Sequence, residues 1–521
     1  MSGRDGVPGA GHGSDGGRAA DGRGTRAGGG GVASAGAARG GRGLPAGSVV
    51  RLNRRVRVRD GGRTLVGGAP IRVMHLSEAA VGLFEGRALR IRDRATAVLA
   101  DRLLETGIAD PVVQSLPEGD LAEVTYVIPV RDRPQQLARL LEGLGGATGR
   151  VRVIVVDDAS VDAEGMRRVA DAHGARFVAL PENVGPAGAR NVGLRLVTTP
   201  FVVFADSDVV AYPDAVATLL RHFADPAVAL AAPRVLGLPR EPGRGRTGTS
   251  RNATGLNGIG RYEDARSSLD LGEDPAIVRQ RAPVSWVSST FLVGRVALLG
   301  EGFTAGMRVG EDVDLVWTLA DQGLRVRYEP AATVWHEHRD ALGSWLARKA
   351  FYGTGAHPLA LRHPHDIAPA VLAPWSAGVV AALLAQRRWS VPVALGISAV
   401  TVWRLSRRLS KSGHPVRLAA WLTANGLVAS LVQAMALLLR HLWPAVAVGC
   451  LFSARLRRAV LVAHLLDVAI EHRRTKVRLD PVRFAVLRRL DDLAYGAGVW
   501  VSAFRGRSWR ALLPDIRSSR R

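Results

Sequence analysis

Phe201-Val202-Val203-Phe204-Ala205-Asp206-Ser207-Asp208 decides the reading of the fold. The apolar run ending at Ala205 reads as a strand buried in a sheet, which places Asp206 and Asp208 at its mouth. Asp and Ser also favour a plain polar turn after a strand, so the motif alone leaves a structural reading open. The functional reading is a divalent cation site. Carboxylate oxygens suit hard cations such as Mg²⁺ and Mn²⁺, which proteins commonly share with substrate phosphates, so the pair points to a diphosphate substrate.

Outward from this strand, residues 123 to about 335 alternate apolar strands with helical segments, the pattern of an open α/β sheet. Val124 to Val130 is a strand, and Pro134 stands where a first helical turn tolerates it. Val151 to Val156 is a β-branched strand that ends abruptly in Asp157-Asp158, and Arg176 to Leu180 gives another. Open α/β sheets bind ligands outside the carboxyl ends of their strands, which puts these acidic residues on the functional edge. Residues 237 to about 280 lose apolar periodicity and are expected to form a mobile loop over that edge.

The flanking regions differ in kind. Residues 1 to about 45 are Gly, Ala, Arg and Ser with almost no large apolar side chains, so they are expected to be disordered, and they lack the apolar core of a signal peptide. Residues 46–118 read as a small α+β, winged-helix-like module. Its parts are a hairpin turning at Asp60-Gly61-Gly62, a strand from Ile71 to Leu76, a helix from Ser77 through Phe84, and a second helix capped by Asp93 and stopped at Gly107. Residues 119–368 hold the α/β domain. Apolar stretches at 371–385, 391–403, 418–439 and 442–453 follow in a helical region, 369–454, in which 418–439 is the best spanning candidate and a buried soluble helix the alternative. The tail, 455–521, carries 16 Lys or Arg against 6 Asp or Glu, which suits an anionic cytosolic leaflet. Association with the inner face of the cell membrane is the expectation.

The formal charge of +24 fits nucleic acid, an anionic membrane surface or a phosphorylated substrate. Nucleic acid is disfavoured, because the segment Ser77 to Phe84 has no Arg, Lys, Asn or Gln to reach base edges. Arg dominates over Lys in an Ala- and Gly-rich chain, a compositional bias that weakens any argument from charge. Cys450 is the only cysteine, which excludes a disulfide framework and a cysteine-rich zinc site and suits a reducing, cytosol-facing location.

Five features follow one another in order: Val127-Ile128-Pro129-Val130-Arg131-Asp132; Val155-Val156-Asp157-Asp158-Ala159-Ser160; Asn183-Val184-Gly185-Pro186-Ala187-Gly188-Ala189-Arg190-Asn191; Asp206-Ser207-Asp208; and Gly310-Glu311-Asp312-Val313-Asp314. This order closely resembles the family 2 glycosyltransferases of the GT-A fold, over roughly residues 123–340. The resemblance implies a Rossmann-like mixed sheet and transfer of a sugar from a nucleotide diphosphate donor with inversion at the anomeric carbon. It implies donor contacts from Pro129, Arg131, Asp157, Asp158, Gly188, Arg190, Asn191 and Asp206. It also implies Asp208 as metal ligand, with His336 of Val334-Trp335-His336-Glu337-His338 as a second and His338 as the alternative. Asp312, beside Glu311, would take the proton of the acceptor hydroxyl. Independently, Glu311 and Asp312 begin a helix whose dipole favours acidic residues. Trp286 suits either stacking on an acceptor or core packing. Processive synthases of the family usually carry Gln-x-x-Arg-Trp after the base. Here Arg348-Lys349-Ala350-Phe351-Tyr352-Gly353 stands in that region, which argues against long-polymer synthesis.

The wider layout, with Leu76-Ser77-Glu78-Ala79-Ala80 before the catalytic domain and His336-Glu337-His338-Arg339 and Tyr352-Gly353-Thr354-Gly355 after its core, resembles the glycosyltransferases of the mycofactocin system. That implies glucosyl transfer from UDP-glucose onto a peptide-derived redox cofactor precursor, building a short β-glucan chain. The N-terminal module separately resembles the peptide-recognition domains of ribosomal-peptide pathways, which implies binding of the acceptor peptide there. The rival reading is a membrane-associated glycosyltransferase for cell-envelope glycan or lipid-linked sugar.

Overall fold

Every residue from Val124 to Val130 is buried, and the strand they form is central to a nine-stranded mixed sheet. The order across the sheet is Arg176–Ala179, Arg152–Asp157, Val124–Val130, Phe201–Ala205, Phe291–Arg295, Val228–Gly237, Arg325–His336 and Val209–Val210, with Ala276–Val278 added along Arg325–His336. The computed structural model describes residues 43–145, 152–238, 258–337, 341–475, 477 and 479–517. Most of the N-terminal stretch read as disordered, and His338, lie outside the described residues.

The first four strands of that order run parallel. Their carboxyl ends therefore share one edge, where Val130, Asp157 and Ala205 finish. The uninterrupted apolar runs follow from burial on both faces. Tyr126, Ile128 and Val130 join Val203 and Ala205 in one core, while Val127 joins Val202 and Phe204 in the other. The helix Pro134–Leu144 covers the first face with Leu137, Leu140 and Leu141. The helix Gly185–Arg195 covers the second, and it lies so close that any side chain at Gly193 would collide with Val127.

The N-terminal module has the expected hairpin, Arg57–Arg59 with Thr64–Gly67, followed by strand Arg72–His75. Asp93 caps the helix Arg94–Thr106 through a capping box, and Gly107 closes it in the left-handed conformation at φ 66°. The expected helix from Ser77 to Phe84 is corrected. Ser77 does cap it, but it runs only over Glu78–Val81 before Gly82, and Phe84–Glu85 returns as a strand against Ala88–Arg90. One full-length helix therefore stands where two were expected.

This module is tied on two sides. Arg325 of the large sheet lies between Asp101 and Asp225, and the buried Arg327 guanidinium faces Asp110 at 3.7 Å. Val66 packs with Leu409, Leu418 and Ala419 of the C-terminal helices, and Arg57 stacks over Trp421 at 4.2 Å.

The expected long loop is also corrected within its described part. Residues 239–257 lie outside the description, but Gly258–Arg266 is a helix and Ala276–Val278 a strand. Tyr262 anchors that helix by packing against Trp345 and Phe484. The apolar stretches become helices Pro374–Ala385, Ser390–Arg408, Pro415–Ala436 and Trp443–Phe452, followed by Ala454–Thr475 and Pro481–Arg505. Among the described residues, the continuous segment Pro415–His441 is long and apolar enough to cross a bilayer.

Candidate active site

A two-residue bridge builds the first half of the site. Val209 and Val210 pair antiparallel with His336 and Trp335 at the end of the strand Arg325–His336. This register lays His336 beside Asp208, with its Nε2 3.4 Å from the carboxylate Oδ1. The other oxygen of Asp208 is ion-paired with Arg133. Burial by itself raises the Asp208 carboxyl, but the hydrogen bond and charge of His336, together with Arg133, outweigh it and hold the group below the usual carboxylate range. A carboxylate and an imidazole are compatible donors for Mn²⁺ or Mg²⁺. Among the described residues no group of three or more His, Cys, Asp or Glu is gathered closely enough to hold a metal ion. The donor set therefore fits a cation that takes its remaining oxygens from substrate and water.

The second half is an ionic bridge under the edge. Arg190, on the helix Gly185–Arg195, is almost wholly buried and extends one guanidinium nitrogen to Asp206 at 2.5 Å and another to Glu311 at 3.1 Å. Asp206 also donates its backbone N–H to the Thr290 carbonyl at 2.9 Å. The same short loop reaches Asp312, whose Oδ2 accepts the Ser289 N–H at 3.3 Å while its Oδ1 accepts the Val313 N–H at 2.8 Å. Asp312 is part-buried. Desolvation, reinforced by the neighbouring Glu311 charge, pushes its carboxyl up to about 7 against the opposing backbone hydrogen bonds and Arg190. A carboxylate so placed is a stronger base than an exposed one.

Other residues expected at the donor have tasks within the chain. Asp158 accepts the N–H groups of Val184 at 2.8 Å and Gly185 at 3.0 Å, fixing the start of the Gly185–Arg195 helix. Asp157 is fully buried and holds its own turn through the Ser160 hydroxyl and N–H. Asn191 makes a two-way amide contact with the Phe303 backbone, at 2.6 and 2.9 Å. Gly188 is bare because a Cβ there would lie 2.7 Å from the Val184 side chain, so its smallness serves packing. Pro129 is buried inside its strand. Arg131 is exposed and lies 3.5 Å from Asp132, whose positive φ of 55° turns the chain so that Arg133, not Arg131, meets Asp208. Trp286 is half-buried in the loop leading to Phe291–Arg295, beside Ser285, whose carbonyl accepts the Trp317 indole N–H at 2.8 Å.

Similarity to known proteins shows the family. The family description "Glycosyl transferase family 2" matches residues 125–282. A pre-mycofactocin glycosyltransferase of Mycobacterium tuberculosis is 40% identical over 491 residues, covering 91% of this chain and 99% of that protein. The chain belongs to the pre-mycofactocin glycosyltransferase family, within glycosyl transferase family 2. It is a glycosyltransferase, and its catalytic domain has the GT-A fold. A poly-beta-1,6-N-acetyl-D-glucosamine synthase of Staphylococcus aureus is 26% identical over 40% of this chain and 48% of its own. Among solved structures, a mannosyltransferase from Pyrobaculum calidifontis in complex with GDP-Man and Mn²⁺ is 19% identical, over 61% of this chain and 89% of its own, with a TM-score of 0.34. The glucosyl-3-phosphoglycerate synthase of M. tuberculosis, in complex with Mn²⁺, UDP and glucosyl-3-phosphoglycerate, is 18% identical, over 48% and 84%, with a TM-score of 0.33.

Glu311, Asp312 and His336 lie beyond the span of the family 2 match, so their place at this glycosyltransferase's edge rests on the fold itself. Two contacts at that edge have no signal in the sequence. Arg133 is one of three charged residues in a row, and only the turn at Asp132 selects it. Asp314 follows Asp312 on the same helix and anchors it from below, accepting from the Thr304 hydroxyl at 2.5 Å and lying 2.9 Å from His363 Nε2, with Arg362 as a further partner.

Proposed function

We propose that this enzyme moves glucose from UDP-glucose, with inversion, onto a peptide-derived redox cofactor precursor at the cytosolic face of the cell membrane. The observation that carries the reading is the Asp206, Arg190 and Glu311 bridge. It ties the strand end bearing Asp208 to the helix start bearing Asp312, so that donor-side and acceptor-side carboxylates share one rigid frame. Asp208 and His336 are the residues that would hold Mg²⁺ or Mn²⁺. Bound there, the cation would supply positive charge to offset the charge that develops on the departing nucleoside diphosphate. In the transfer, the acceptor hydroxyl oxygen forms its bond to the anomeric carbon as the bond from that carbon to the diphosphate oxygen breaks. The electron pair leaves with the diphosphate and the hydroxyl proton goes to Asp312. Each oxygen of Asp312 accepts one backbone N–H, which orients the carboxylate and leaves a lone pair for the proton. The family resemblance supports the donor and the precursor acceptor, and the likeness of the N-terminal module to the peptide-recognition domains of ribosomal-peptide pathways supports binding of the acceptor peptide there.

The test is a UDP-sugar turnover panel across metals, with Mn²⁺ binding measured separately by calorimetry. Asp208→Ala is expected to lose Mn²⁺ binding and donor turnover together. Mn²⁺-dependent turnover in that variant at the wild-type level would refute the assignment. Peptide-derived and lipid-linked acceptors, offered separately with labelled UDP-glucose, distinguish this reading from a cell-envelope or lipid-linked glycosyltransferase.

A further inference from the structure

The helix Ala454–Thr475 is built inside out. Three of its polar residues face the protein: Asp467 receives both Arg488 and Arg489, Glu471 pairs with Arg266, and His472 lies 2.9 Å from the Leu479 carbonyl. Its outer stripe, recurring with the helical period, is apolar along its middle: Leu461, Val462, Leu465, Leu466, Ala469 and Ile470 are all exposed. Leu461 and Leu465 are 57% and 58% exposed. A helix on a water-facing surface has the opposite arrangement. The neighbouring helix Pro481–Arg505 repeats it, with Arg488, Asp491 and Asp492 buried and Val482 and Val486 exposed.

Both ends of the apolar stripe are basic, with exposed Arg455, Arg457 and Arg458 before it and Arg473 and Arg474 after it. From Leu461 to Ile470 the stripe runs only about 14 Å, less than half of a bilayer's hydrocarbon thickness. That length suits a helix lying in the plane of the interface, with arginines at headgroup level. The same corner gathers a second chain segment. The Gln386 amide donates to the Arg455 carbonyl at 2.7 Å, which joins the segment carrying exposed Arg387, Arg388 and Trp389 to the start of this helix.

We propose that this face, centred on Leu461, Leu465 and Leu466, is the surface by which the enzyme lies on an anionic phospholipid bilayer. The proposal rests on the reading of the protein as membrane-associated and assigns which surface does it. The buried ion pairs behind the face give it a mechanical connection to the catalytic domain. Tyr262 donates to Asp491 at 3.0 Å, and Lys349 lies 3.7 Å from the same carboxylate, so the helices Gly258–Arg266 and Leu342–Gly353 are fastened to the lipid-facing pair.

The experiment is vesicle flotation of the full-length protein, with phosphatidylcholine alone and with phosphatidylcholine and phosphatidylglycerol mixed. Donor turnover in detergent serves as the check on folding. Wild type is expected to float with the mixed vesicles. The triple change Leu461→Gln, Leu465→Gln and Leu466→Gln, all at exposed positions, is expected to lower partitioning by on the order of a hundredfold with turnover retained. Arg455→Gln with Arg458→Gln is expected to weaken the preference for phosphatidylglycerol. Flotation of the triple variant at the wild-type level would overturn the assignment of this face while leaving membrane association intact. A wild type that stays out of both vesicle types would overturn membrane association itself. A wild-type dimer that the triple variant dissolves would instead make the face a contact between two copies.

Discussion

Asp312→Asn is expected to lower kcat/KM for sugar transfer by about 10²- to 10⁴-fold while leaving nucleotide-sugar affinity unchanged. The side chain keeps its volume, and its one remaining oxygen can still accept from Ser289 or Val313, so the helix start is retained. What disappears is the site that takes the acceptor proton. The pH profile gives a second readout with a definite sign. Burial and Glu311 push the Asp312 carboxyl up to about 7, so below that pH the group carries a proton and cannot accept another. Wild-type kcat/KM is therefore expected to rise through about pH 7 and level off above it, whereas the residual activity of Asp312→Asn has no limb there. Measuring kcat/KM across pH for both proteins, with donor binding followed by calorimetry, separates loss of the base from loss of the donor site. Wild-type transfer in the variant, or an unchanged acidic limb, would remove Asp312 from the reaction.

The strand ends were legible because burial on both faces leaves a local record. Val124–Val130 and Phe201–Ala205 each divide their side chains between two cores, and the apolar run stops where the sheet stops. The caps at Ser77 and Asp93 are equally local, although the length of the helix after Ser77 was not, since it ends where Gly82 releases the chain into a strand. What joins the site is remote in sequence. Arg190 meets Glu311 across 121 residues and Arg133 meets Asp208 across 75, and each contact depends on how strands were paired elsewhere. The DxD and ED motifs name the carboxylates but not the cation between them. They also do not show that Asp157, Asn191 and Gly188 hold the chain's own turns and packing. The inside-out helix was hidden for a similar reason. Asp467 and Glu471 interrupt its hydropathy, and only their burial against arginines shows that its apolar side faces outward.

That cation carries the second large effect. Arg190 is the buried positive charge between Asp206 and Glu311, and although burial opposes its charge, those two carboxylates keep it firmly protonated. Arg190→Met leaves the buried Glu311 carboxylate and the part-exposed Asp206 without their partner, and a loss of about 3 kcal/mol in unfolding free energy is expected, the low end of the range for a broken buried pair. Chemical denaturation measures it. The change also reaches the chemistry, because Arg190 is one of the groups that hold the Asp312 carboxyl down against burial and Glu311. With Arg190 gone that carboxyl rises further, and the acidic limb of kcat/KM is expected to move to higher pH. Arg190→Lys keeps the charge but loses the fork that reaches both carboxylates at once. It is expected to return the limb toward its wild-type position while recovering only part of the stability. If Arg190→Met lowered stability without moving the limb, the residue would be a structural bridge alone. If it did neither, the frame joining the Asp208 strand end to the Asp312 helix would have to be held by other contacts.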